Sequence, residues 1–92
     1  MSMTPEQVWE QERVYRYRLE LIRDGWILGA SHDVIKALEN AVSFRDLENV
    51  SSATRNEGNV EFAEVIDEMV SMAKKIQFLR FSATPLEMEL ES

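Results

Sequence analysis

Glu61, Glu64 and Glu68 recur at i, i+3 and i+7, a spacing that gathers three carboxylates on one side of a helix. Such a set can meet a hard cation or a basic protein surface. General acid–base catalysis would need a cleft that raises one of their pKa values, and nothing in the surrounding sequence encloses them. With Asp67 they fall early in an apolar-periodic segment, where the helix macrodipole favours acids. A solvated acidic face is therefore the simpler reading.

Other chemistries lack their parts. His32 is the single histidine, and its neighbours Ser31 and Asp33 point in different directions on a helix, so no relay forms. No cysteine is present, which removes thiolate nucleophiles, disulfides and zinc–thiolate sites. No second helix carries the Glu-x-x-His of di-metal bundles. Gly25, Gly29 and Gly58 fit no phosphate-cradling spacing. The expectation is a non-enzymatic protein without cofactor or metal.

Trp9, Arg13 and Arg16 form a second group, at i, i+4 and i+7. A tryptophan beside arginines is the mixture enriched at interface hot spots. The simpler use of Trp9 is to pack over the N-terminal turn of its own domain, and the sequence favours that use over the interface one.

Ninety-two residues make one domain near the lower limit for folding without staples. At 45% hydrophobic and 29% charged residues, the chain has a globular composition. Its net charge of −7 is evenly spread: residues 1–50 hold nine acids and six bases, residues 51–92 eight and four. Direct nucleic-acid binding is not expected, because Arg13, Arg16, Arg18 and Arg23 are interleaved with Glu10, Glu12 and Glu20 and make no basic stripe. No leader-like apolar run and no span of ~20 apolar residues occurs, so a cytoplasmic protein off the membrane is expected.

The elements follow from periodicity. Phe62, Val65, Ile66, Met69, Met72, Ala73, Ile76 and Leu79, widened by Ala63 and Val70, form one broad apolar arc between Asn59 and Phe81. That segment is read as the central helix, capped by Asn59 and ending near Arg80. Met69 and Met72 are read as core filler before binding groove. Thr4-Pro5-Glu6-Gln7 opens a first helix with a capping box, and Gly25 is read as its end. Val8, Tyr15, Leu19, Ile22 and Trp26 make its main stripe, expected to face the core. Val14, Tyr17 and Leu21 lie on the opposite side, and a helix apolar on two sides implies self-association.

Ser31 caps a second helix whose face is Val34, Ile35, Ala37, Leu38, Ala41 and Val42. Arg45 would land on that face, so the helix is expected to bend or stop near Ser43-Phe44, with 46–50 as a short turn. Residues 51–58 read as a polar loop open to proteolysis.

The expected fold is thus all-α, with three main helices at about 5–24, 32–44 and 59–80 in a domain of residues 1–84, followed by a tail at 85–92. The alternative is α+β, because 15–21 and 86–91 alternate strictly, giving strands near 15–22, 26–29 and 86–90. In size, acidity, lack of cysteine and lack of a catalytic set, the chain is similar to small phage or mobile-element accessory proteins, including inhibitors of host defence complexes. That resemblance is one of composition and transfers no residue. The functional expectation is a regulatory protein that binds a partner protein and forms a homodimer. The alternative is an acidic inhibitor that blocks a nucleic-acid-binding defence complex.

Overall fold

The structure, a computed structural model, describes residues 2–82. Four helices occupy them: α1 (Pro5–Ile27), α2 (His32–Asn40), α3 (Phe44–Asn56) and α4 (Val60–Phe81). The all-α reading holds. The strands considered for 15–22 and 26–29 are replaced by one continuous α1 and the turn after it, and 86–90 lies outside the described residues. So does the domain boundary at 84/85.

α1 starts as its sequence dictates. The Gln7 N–H donates to Thr4 Oγ1 at 3.1 Å, the Thr4 N–H donates to Gln7 Oε1 at 2.9 Å, and Pro5 occupies the first turn. Its end differs from expectation. The helix runs to Ile27, and Gly29, at φ +77°, is the left-handed residue that closes it, with the Ala30 N–H donating to the Gly25 carbonyl at 2.7 Å. Gly25 is instead a buried close-approach point. A Cβ there would stand 2.9 Å from Ile35 Cδ1 and 3.1 Å from Phe62 Cζ.

The fourth helix corrects the expected three. α2 stops at Asn40 rather than Phe44, because Ala41 turns extended and Ser43 caps a new helix by accepting from the Asp46 N–H at 3.1 Å. Val42, placed with the α2 face from the sequence, is exposed in the connector. Residues 51–56, read as loop, continue α3. Leu47, Val50, Ser51 and Thr54 are all buried at i, i+3, i+4 and i+7, so two hydroxyl residues complete an apolar period. Their polarity is satisfied: Thr54 Oγ1 donates to the Val50 carbonyl at 2.7 Å, and Ser51 Oγ donates to the Asp67 carboxylate. Glu57 and Gly58, the latter at φ +87°, make the turn into α4, which Asn59 caps as expected.

α4 packs along α3 and against α1, and buries Phe62, Ala63, Ile66, Val70 and Ala73. The arc read from its sequence is therefore real, but only its early part is covered. Val65 and Met69 are half-buried, whereas Met72, Ile76 and Leu79 are exposed.

α1 joins the core by the face not expected to do so. Trp9, Val14, Leu21 and Gly25 are buried and Tyr17 packs beside them. Val8, Tyr15, Leu19 and Trp26 are exposed, Leu19 by 75% and Trp26 by 64%, and Ile22 is half-buried. The inner face is the poorer in aliphatic residues but holds two polar side chains that neighbouring helices need. The Glu10 carboxylate accepts from the Phe44 N–H at 2.9 Å and from Gln77 Nε2 at 3.1 Å, capping the start of α3. Arg18 Nη1 donates to the Glu39 and Ala41 carbonyls, at 2.8 and 3.0 Å, capping the end of α2.

Candidate partner-binding surfaces

The residues singled out from sequence separate into three places. Trp9 is 8% exposed and is a core residue rather than a free contact. Its indole meets Phe44 and Phe81 edge-on, with centroids 6.3 and 6.1 Å away, and so joins the starts of α1 and α3 to the end of α4. The Arg13 guanidinium lies 4.9 Å from the ring centroid. Arg13, Arg16 and Glu12 are brought together with Arg80 around a recess of about 210 Å³ floored by Trp9. Arg80 was legible only as the end of α4; no local signal places it beside Arg13.

Glu61, Glu64 and Glu68 project from the first half of α4, all exposed and in no ion pair among the described residues. Asp67 belongs elsewhere, held by Ser51 and by Arg55 Nη2 at 2.7 Å, which ties α3 to α4. His32 is exposed in the first turn of α2. No group of three or more potential metal ligands occurs among the described residues.

The surface missed by sequence reasoning is apolar. On α4, Met72, Ile76 and Leu79 continue along the side that carries Glu61 and Glu68 one to five turns earlier, and Met72 is 64% exposed. Phe78, also exposed, stands with Leu79, Ser71, Lys74 and Lys75 around a shallow groove supplied by α4 alone. On α1, the stripe members Val8, Tyr15, Leu19 and Trp26 are exposed, and only Ile22, at its edge, packs against the core. Both stripes were visible as periodicity, but periodicity does not say which side of a helix its neighbours take.

No helix among the described residues is long and apolar enough to cross a membrane. Comparison of the chain with protein-family models, curated proteins and solved structures finds no match.

Proposed function

We propose that the protein is a non-enzymatic, cytoplasmic regulator that binds another protein, with the outer side of α4 as the partner-facing surface and self-association through a separate face. The observation that carries this reading is the exposed row Met72, Ile76 and Leu79 at the end of a side that begins with Glu61 and Glu68. Exposed apolar side chains in a row, bordered by charge, are the composition of a contact surface. The matching partner offers an apolar cleft next to basic residues.

A photo-crosslinking amino acid at position 79, introduced in the source cell, should trap one partner protein. The same residue at Lys36, exposed on α2, should trap none. Equal patterns at both positions would remove α4 from consideration.

The inhibitor reading remains a second proposal, supported by the three carboxylates that no base of the described residues neutralises. It requires that reversal of Glu61, Glu64 and Glu68 to Lys abolish capture of a basic, nucleic-acid-binding partner and that nucleic acid compete with the unmodified chain. Retained capture by the reversed variant would exclude it.

A further inference from the structure

We propose that the outer stripe of α1 is the seam of an antiparallel two-stranded coiled coil with α1 of a second copy of this chain. The inference deepens the reading of outward apolar faces as contact surfaces, but uses no residue of α4. Val8, Tyr15 and Ile22 recur every seven residues, and so do Glu12, Leu19 and Trp26, offset from them by four and three. That is an a/d heptad repeat through most of a 23-residue helix. A repeat of this kind in a monomer's core would be buried. Here Ile22 is half-buried against the edge of the core, and the other five members are exposed on the side of α1 away from Val14 and Leu21.

Charge fixes the direction of the second helix. Glu12 is the one acidic member of the seam. In a parallel pair it would face Glu12 of the second copy, and like charges across a seam are destabilising. In an antiparallel pair, a two-fold axis between Tyr15 and Leu19 sets Tyr15 against Leu19, Val8 against Trp26, and Glu12 against Ile22 of the second copy. Arg23 of the second copy then lies next to Glu12. In the single chain Arg23 has only a 4.0 Å contact with adjacent Asp24 and is otherwise solvated, so it is available.

Area sets the strength. The exposed part of the stripe is of the order of a few hundred Å², below the roughly 800 Å² per partner of a standard stable interface. An interface of that size belongs with the weak, reversible class, so the exchange is sought at micromolar concentrations.

Sedimentation equilibrium of the full chain across micromolar concentrations should show this monomer–dimer exchange. Leu19→Glu should weaken it roughly tenfold or more, with an unchanged helical circular-dichroism spectrum because Leu19 is 75% exposed. The absence of native cysteine makes a register test clean. Val8→Cys and Trp26→Cys chains, mixed and oxidised, should form the mixed disulfide in preference to either homodisulfide. A monomer at every concentration, a dimer indifferent to Leu19→Glu, or preferential Val8→Cys homodisulfide would each overturn the proposal. None of these results bears on crosslinking at position 79.

Discussion

The two tryptophans of this chain have the same chemistry and opposite situations. Trp9 sits in an aromatic junction of three helix ends, while Trp26 extends 64% of its surface to solvent. Trp9→Ala should cost about 3–5 kcal/mol, the range for deleting a buried aromatic. Trp26→Ala should stay within about 0.5 kcal/mol when measured on dilute, monomeric protein. Urea denaturation of both variants tests the contrast, and comparable losses would refute the assignment of faces on α1.

Gly25 offers a second test at this scale. An alanine in an ordinary helix interior gains up to about 1 kcal/mol over glycine. Here its methyl would stand 2.9 Å from Ile35 Cδ1 and 3.1 Å from Phe62 Cζ. Overpacking costs typically 1–3 kcal/mol, so Gly25→Ala should show a net loss of about 1 kcal/mol in the same measurement. A gain would mean that the Ile35 Cδ1 methyl and the Phe62 ring shift aside without cost.

Among the elements, α1 holds α2 and α3 at their weakest points. The chain breaks between them at Ala41–Ser43, leaving carbonyls at one end and N–H groups at the other. Arg18 reaches the carbonyls and Glu10 reaches an N–H, so each charge meets the helix dipole it complements. Arg18→Ala should destabilise by about 1–2 kcal/mol, the loss of a charged hydrogen-bond donor to otherwise unpaired carbonyls. Arg18→Lys should recover only part of this, because the lysine nitrogen ends one bond short of Nη1, the single atom that meets both carbonyls. Thermal denaturation of the two variants checks the order.

Legibility at this scale followed the strength of local chemistry. The Thr4–Gln7 box, the Ser31 and Asn59 caps and the early arc of α4 are strong local signals, and the structure has each of them. The second half of α3 was missed because Ser51 and Thr54 stand where aliphatic residues ordinarily mark the period; α4 satisfies the Ser51 hydroxyl, and Thr54 bonds back to Val50 within α3. The face of α1 was misjudged for a related reason. Its outward stripe is the more apolar, and the inward face is selected by Glu10, Arg18 and Gly25, whose partners on other helices lie 10 to 67 residues away. The acidic face of α4 was legible as a surface, whereas the apolar row beyond it was absorbed into the expected core.

For the molecule as a whole, the two tight turns lie together. Asn59 Nδ2 donates to the Leu28 carbonyl at 3.2 Å, and Ser31 Oγ donates to Glu57 at 3.1 Å, so the α1–α2 and α3–α4 connections are pinned to each other. The opposite end is closed by Trp9, Phe44 and Phe81. Between these ends α3 and α4 share the most extensive packing, reinforced by Ser51–Asp67, Arg55–Asp67 and Lys74–Glu48. The exposed ion pairs among these contribute little on their own, and the apolar side chains with the buried Ser51 hydroxyl carry the association.

The position of α1 has a consequence for motion. A hairpin of neighbouring helices such as α3–α4 closes through short loops, whereas α1 meets α4 from the far end of the sequence. Amide hydrogen exchange should therefore find its slowest protons in α3 and α4, with α1 opening as a separate, cheaper step. Each such opening would strip the caps from α2 and α3 in the same event. A second copy seated on the outer stripe would slow it, and exchange in α1 would then depend on protein concentration while exchange in α3 would not.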